Sequence, residues 1–312
     1  MRFGLILLLL AMLALAYVLW GGAVPPEFIL QRRLLRLGAM VAGGCCIALS
    51  SILFQTVARN RILTPAVMGY EAVYLLFQAL LILAFGAESL RTLGAAGNMV
   101  LSVLVMLGWS VGLHVCLLRR RGTDISLLLL AGLVLTLVIT SFTQFVQLRI
   151  SPGEFAIFQS FAQMSFDGIT GVQLALAAMA VCFPAALLVR RMAVLDVVAM
   201  GREQALSLGV DHGRETALIL GLIALLTAAS TSLIGPSVFM GVFVANIAYQ
   251  LAGSHHHRRT LPIGCLIAVA AALLAELLVQ HLFQFATSVG LLINLTCGIY
   301  FLLLILRKRS VS

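Results

Sequence analysis

Apolar segments of about twenty residues recur along the whole chain, separated by short groups of charged and turn-forming residues. A helix of about 20 apolar residues is just long enough to cross the hydrocarbon layer of a bilayer. Charged residues make up only 10% of the chain, whereas soluble domains carry about 25%. The sequence therefore predicts an all-α, polytopic membrane protein, with a single transmembrane domain over residues 1–312.

We predict about ten transmembrane helices from the apolar segments. They cover residues 3–20, 37–57, 67–85, 99–118, 125–146, 172–189, 216–233, 238–251, 261–279 and 289–306. The first segment imitates a secretory signal, with one Arg, a long apolar run and then small residues. Because nine more candidate segments follow it, we interpret it as an uncleaved first helix.

The basic residues are distributed unevenly between the two sides of the membrane. If the N-terminus is cytoplasmic and the ten helices alternate, fifteen basic residues fall inside and five outside. Inner loops of membrane proteins carry such an excess of Lys and Arg. The bias predicts that both termini and the segment 190–214 are cytoplasmic. It also explains the net charge of +9 without nucleic acid, since the arginines are scattered and form no phosphate-binding face.

The segment 190–214 is the longest charged interruption in the apolar pattern. We expect a short helix here, with Asp196 as its cap, an apolar side formed by Ala205, Leu206 and Leu208, and Gly209 at its end. Two interpretations are open: a loop helix packed on its own protein, or a docking element for a soluble partner. Periodicity alone favours the first.

Few side chains in the apolar segments are ionisable. Glu276 and His114 are the costliest of these, and we expect them to be hydrogen-bonded between helices rather than to relay protons. The histidines at 255–257 are expected to be solvated. The six cysteines form no C-x-x-C pair, and the pattern predicts no metal site and no cofactor.

Three segments resemble the permease subunits of the ATP-binding cassette importers for iron-siderophore complexes and vitamin B12. The first is GGCCIALSSILFQTVARNRILTPAVMGYEA at 43–72, with a small-residue helix followed by Q-x-x-x-R-N and L-x-x-P-x-x-x-G. The second is MGREQALSLGVD at 200–211, which is similar to the coupling segment of that family. The third, SLIGPSVFMGVFVANIAYQL at 232–251, is similar to its A-G-P-I-x-F-V-G motif.

The sequence also departs from the family pattern. Ala245 and Asn246 stand where Pro-His is common, and Arg202 with Glu203 replaces a pair of glutamates. ANIAYQ at this place, together with SPGEFAIFQ at 151–159, resembles a branch that imports catecholate-type siderophores. Members of that branch pair with a second, different permease, which favours a heterodimer and leaves a homodimer open.

The resemblance implies a type II importer permease in the bacterial inner membrane that carries ferric siderophores between two permease subunits. A cytoplasmic ATP-binding subunit and a periplasmic siderophore-binding protein would be its partners, and lipid would surround it. Since we find no G-x-x-x-x-G-K-[ST] phosphate loop, the chain itself would be no enzyme and hydrolysis would come from another chain.

The resemblance also implies three groups of site residues. The ATPase-coupling residues would be Met200, Gly201, Arg202, Glu203, Gln204, Ala205, Leu206, Ser207, Leu208 and Gly209. The residues for docking of the binding protein would be Arg32, Arg33 and Arg36. The residues of the translocation path or of helix packing would be Gln55, Asn60, Pro65, Gly69, Gly235, Pro236 and Glu276.

Two alternatives remain open. A permease of the same architecture for vitamin B12, haem or another metal chelate is the nearest. The second is a proton-coupled secondary transporter, for which Glu276 and His114 would be the coupling groups and which would work without partner subunits.

Overall fold

A computed structural model of the chain describes residues 2–19, 27–86, 88–115, 125–254, 256–284 and 286–309. These residues form twelve α-helices and one 3-10 helix. In chain order the α-helices are α1 (Arg2–Leu19), α2 (Glu27–Ala58), α3 (Tyr70–Phe85), α4 (Glu88–Leu113), α5 (Ile125–Gln147), α6 (Pro152–Ala162), α7 (Gly171–Met200), α8 (Arg202–Ser207), α9 (His212–Ile234), α10 (Met240–Ala252), α11 (His257–His281) and α12 (Val289–Arg309). The 3-10 helix, Pro65–Met68, precedes α3.

Six of the described helices are long and apolar enough to cross a membrane, namely α2, α4, α5, α7, α9 and α11. Shorter apolar helices occur within α1, α3, α10 and α12. The chain is therefore a helical, multi-pass membrane protein, as its apolar segments predict. Two long helices extend beyond the predicted segments, because α2 begins at Glu27 and α7 continues to Met200.

Helix α2 runs through the centre of the bundle and packs against α9, α11, α7 and α10. Of its most apolar window, 78% is buried inside the protein, against 17% for α5. Small residues permit this packing: a Cβ on Gly44 would lie only 3.3 Å from the backbone nitrogen of Val269 in α11. Such close approach replaces the hydrophobic effect as a source of helix association in lipid.

The segment that follows α5 lies outside the ten predicted transmembrane helices, and much of it is helical. Ser151 caps α6 in a reciprocal box with Glu154, which satisfies donors at the helix start. Helix α6 packs against α3.

Helices α2 and α11 are antiparallel neighbours, and their contacts define two ends of the bundle. Thr56 of α2 meets His257 of α11 at one end, and Arg36 meets Glu276 at the other. We call the first the α8 end, because α8 follows Gly201, which lies against Arg59 just after α2. The second is the far end. About 20 residues of helix separate them, or about 30 Å.

Candidate functional site

Helix α8 is a single short helix between two long ones. It begins at Gly201, whose φ of 106° and ψ of 175° form a sharp joint with α7 that only glycine adopts easily. At its other end the Val210 N–H donates to the Ala205 carbonyl at 2.9 Å, and Gly209 has a φ of 76°. This is the left-handed ending predicted for Gly209. Asp211 then caps α9 by accepting from the N–H groups of Gly213 and Arg214.

The apolar side of α8 is only partly packed on the protein. Ala205 is fully buried, whereas Leu206 and Leu208 are 55% and 61% exposed. Of the three residues predicted to form the apolar side, only Ala205 is covered by the protein itself. Together with neighbouring exposed residues they form what we call the α8 patch: Met200, Arg202, Glu203, Leu206 and Leu208.

Asp196 does not cap a short helix, because α7 is continuous from Gly171–Met200. The prediction of a cap is wrong. Instead the Asp196 carboxylate accepts three hydrogen bonds: from Nδ1 of His256 at 2.9 Å, from Nδ1 of His257 at 2.6 Å and from the His257 backbone N–H at 3.0 Å. An ionised carboxylate can only accept, so each Nδ1 carries a proton.

His257 is buried, with 2% of its surface exposed, so the expectation of a solvated histidine is wrong at this position. Its Nε2 lies 2.8 Å from the hydroxyl of Thr56, which also lies 2.8 Å from the Ile52 carbonyl. One imidazole thus connects α7, α11 and α2. His256 is exposed, and His255 lies outside the described residues.

Two more side chains attach neighbouring helices to the end of α7. Arg191 donates to both carboxylate oxygens of Glu215 in α9, at 2.6 and 2.8 Å. The Arg59 guanidinium lies against Gly201, where a Cβ would be 2.8 Å from its Nη1. The joint between α7 and α8 is therefore in direct contact with the residue that follows α2.

The linker at 59–64, between α2 and the 3-10 helix, is held in place by hydrogen bonds from two amide side chains. Nε2 of Gln55 and Nδ2 of Asn246 both donate to the Arg61 carbonyl at 2.9 Å, and Oδ1 of Asn60 accepts from the Ile62 N–H at 3.0 Å. These bonds give Gln55 and Asn60 a part in the shape of the backbone. A cavity of about 450 Å³ lies beside the linker, lined among others by Arg59, Arg61, Asp196 and His256.

Pro65 and Gly69 shape the approach to α3. Pro65 begins the 3-10 helix and Gly69 ends it with a φ of 84°. A Cβ on Gly69 would lie 2.9 Å from Oγ1 of Thr136 in α5, so glycine allows both the turn and the close contact. Nε1 of Trp109 in α4 donates to the neighbouring Met68 carbonyl at 3.0 Å.

Gly235 and Pro236 form the break between α9 and α10. Gly235 has a φ of 88°, and a Cβ there would lie 2.6 Å from the Gln163 carbonyl oxygen. The next N–H, that of Ser237, donates to the Glu71 carboxylate at 3.0 Å. From the sequence, Glu71 is expected only to lie near the membrane interface, and its contact with the α9–α10 break is not predicted; the available signal is an acid at the start of an apolar helix.

At the far end, Arg36 belongs to an ion-pair cluster that involves two helices and a loop. Its guanidinium pairs with Asp167, which lies between α6 and α7, and with Glu276 of α11 at 3.4 Å. Nε2 of Gln280 donates to the same Glu276 oxygen at 2.6 Å. Arg33 donates to the Val18 carbonyl at 2.8 Å. Arg33 and Arg36 thus share a helix but not an environment, and Arg32, between the start of α2 and Arg33, is exposed.

The described residues offer no group of three His, Cys, Asp or Glu side chains arranged to hold a metal ion. Among the described cysteines, Cys46 and Cys297 are buried and Cys182 is exposed, and all are free thiols.

The chain is similar to known transport proteins along nearly its whole length. The profile of the FecCD transport family matches residues 3–307. The petrobactin import system permease protein YclO of Bacillus subtilis is 32% identical over 91% of this chain and 90% of its own length. The corresponding protein FatC of Bacillus anthracis is 30% identical over 99% of this chain and 90% of its own. The ferric enterobactin permease protein FepG of Escherichia coli is 28% identical over 85% and 78%.

A solved structure of a metal-chelate type ABC transporter in an inward-facing conformation has the same fold. It superposes with a TM-score of 0.85 over 97% of each chain, at 19% identity. At that identity the likeness concerns the fold alone.

Proposed function

Because the chain belongs to the FecCD transport family, we propose that it is the membrane-spanning permease subunit of an ATP-binding cassette importer for ferric-siderophore complexes in a bacterial inner membrane. The observation that carries the proposal is the family match over residues 3–307. The family resemblance drawn from segments 43–72, 200–211 and 232–251 is thereby confirmed. Relatives named for petrobactin and enterobactin support an iron-siderophore cargo of the catecholate branch.

In the proposed arrangement all ten apolar helices cross the bilayer, six of them long and four short. Both termini and the α8 end face the cytoplasm, and the far end faces the periplasm. The excess of basic residues in the loops assigned to the cytoplasm supports this orientation.

The α8 patch would be the contact with a separate ATP-binding subunit. Exposed Leu206 and Leu208 beside Arg202 and Glu203 support this role, because solvated leucines next to charges are typical of a surface that a partner covers. ATP would close the two ATP-binding subunits, α8 would move with them, and the bundle would tilt between outward and inward openings. The permease then needs no catalytic residue of its own.

Two further partners complete the proposed importer. A periplasmic siderophore-binding protein would dock on the far end, with Arg32 and Arg33 as its contacts, while Arg36 is held in the cluster with Asp167 and Glu276. A second permease subunit would form the path together with this chain, with a heterodimer favoured over a homodimer. The outward-facing leucines, valines and phenylalanines of α5 supply apolar surface for that subunit or for lipid.

Uptake of radioactive iron tests the function. The chain is expressed from its genomic locus, together with any ATPase, binding protein and second permease genes found beside it, in a host without its own siderophore importers. Ferric petrobactin, ferric enterobactin and ferric citrate are supplied in separate arms, and vitamin B12 and haem in two more. We expect uptake of a ferric siderophore that is lost when the phosphate-loop lysine of the ATPase is substituted.

Other outcomes would contradict the proposal in distinct ways. Uptake of vitamin B12 or haem alone would keep the importer and replace its cargo. Uptake that persists without a functional ATPase and stops when the proton gradient is collapsed would identify a secondary transporter.

A further inference from the structure

The end of α7 is the place where motion of α8 must enter the bundle. Only Gly201 separates the two helices. Beyond the predicted apolar segment, α7 continues past Arg190 and Arg191 to Met200, so its last turns project toward α8. Leu195 and Val198 of these turns are buried, and Asp196 lies between them. The helix end is thus packed on the bundle and carries one carboxylate at its contact with α11.

The Asp196 carboxylate is bonded to the start of α11 by three donors, at 2.9, 2.6 and 3.0 Å. Hydrogen bonds with an ionised partner are shorter and stronger than neutral ones. The buried ring of His257 continues the chain of bonds to Thr56 of α2 at 2.8 Å. This link is geometrically specific, because a planar imidazole holds its two partners on opposite sides of one ring.

The link joins two long helices that run through the bundle, α2 and α11. Helices α2 and α11 pack along each other and are joined again at the far end by Arg36 and Glu276, about 30 Å away. A pair of helices that is fixed together at both ends tilts as a unit. A displacement applied to the pair at the α8 end is therefore carried to the far end, on the opposite side of the membrane.

We propose that Asp196 and His257 are positioning residues that transmit the displacement of α8 to α11, and through Thr56 to α2. This inference rests on the proposed function, since it assumes that an ATPase moves α8. It assigns to these residues a task distinct from ATPase binding, which the α8 patch performs. The link acts between helices α7, α11 and α2.

Hydrogen exchange in the assembled importer tests the link without a known cargo. The complex with its ATPase is placed in lipid nanodiscs and compared in ADP and in ATP with vanadate. Amide exchange is followed in residues 257–264 of α11 and 50–58 of α2. In the natural protein both segments should respond to the nucleotide change.

Single-residue variants distinguish transmission of the displacement through Asp196 and His257 from a general loss of structure. Asp196→Ala should abolish the response of both segments while the ATPase stays bound, and Asp196→Asn, which keeps an acceptor oxygen, should restore much of it. Thr56→Val keeps the side-chain volume and should abolish the response of α2 but not that of α11. The matched control is Glu215→Gln, which weakens the Arg191 pair between α7 and α9 and should leave both responses intact.

A second readout is the ATP hydrolysed for each iron imported, measured with ferric petrobactin as the cargo. Asp196→Ala should raise this ratio, because hydrolysis continues while transport falls.

Three results would overturn the inference: unchanged exchange responses in Asp196→Ala, loss of the ATPase from that variant, or equal loss of responses in Glu215→Gln. Failure of the natural protein to bind any ATPase would instead overturn the proposed function itself.

Discussion

At the scale of single residues, the ionised groups inside the bundle are held by partners from distant parts of the chain. Glu276 is 5% exposed and meets Arg36, which is 29% exposed. A carboxylate in the apolar part of a membrane protein is costly and usually has a partner in the bundle interior. The structure supplies that partner, together with the amide of Gln280. We therefore assign the Arg36 cluster to helix packing at the far end.

Removal of Arg36 tests this assignment. Arg36→Met should destabilise the protein, because Glu276 loses its counter-ion while it stays buried. The cost should fall below the about 3–5 kcal/mol typical of broken buried pairs, since Arg36 is partly solvated. Adding Glu276→Gln should recover most of the loss, because the neutral amide needs no counter-ion. Thermal unfolding of the purified permease, followed by tryptophan fluorescence, measures both variants.

The same single and double variants also show whether Arg36 serves helix packing or docking of the periplasmic binding protein. If Arg36 serves packing, the double variant should bind the periplasmic binding protein as the natural permease does. Recovered stability with lost binding would show that Arg36 itself contacts the partner. No recovery on addition of Glu276→Gln would show that the two side chains are not coupled.

At the scale of the helices, α8 is a short element whose apolar residues are mostly not covered by other parts of the protein. Its buried side consists of Ala205, and two leucines face outward. A single charge in place of one leucine should therefore spare the fold and remove a partner. This separation of folding from binding makes α8 suited to mutational tests.

We expect Leu206→Asp combined with Arg202→Glu and Glu203→Arg to lose the ATPase. The reversed charges oppose the natural complement on the partner, and the aspartate would be buried at the contact without a counter-ion. Co-purification of the ATPase with tagged permease from membranes measures the loss. Leu282→Asp is the matched control, because Leu282 is 69% exposed at the far end. Normal co-purification with the triple variant would remove α8 from the coupling contact.

Local features of these elements could be predicted from the sequence. Gly209 after α8 and Asp211 before α9 act where turn and cap chemistry place them, because both depend on residues within one helical turn. The apolar segments likewise predict the long helices, since length and hydropathy are local properties. The error at Asp196 arose from the same reasoning: a capping residue type also serves inside a helix when a distant donor is present.

Contacts between distant residues could not be predicted in this way. Thr56 and His257 are 201 positions apart, and Arg36 and Glu276 are 240 apart. Periodicity indicates which side of a helix is apolar, but not which other helix will cover it. For this reason the sequence around 255–257 is typical of a solvated loop, since no residue near these histidines in the chain indicates that Asp196 will be their partner.

At the scale of the whole molecule, the proposal depends on the side of the membrane that each end faces. We expect a cysteine at Ser207, on α8, to react with a membrane-impermeant maleimide only in inverted vesicles. A cysteine at Leu148, which is 83% exposed between α5 and α6, should react only in intact spheroplasts. The native cysteines are first replaced by alanine, because Cys182 is exposed and would react as well. Since all copies insert the same way under the positive-inside bias, the two sites should give opposite patterns. Labelling of the Ser207 cysteine from outside would place α8 beyond the reach of any ATP-driven partner.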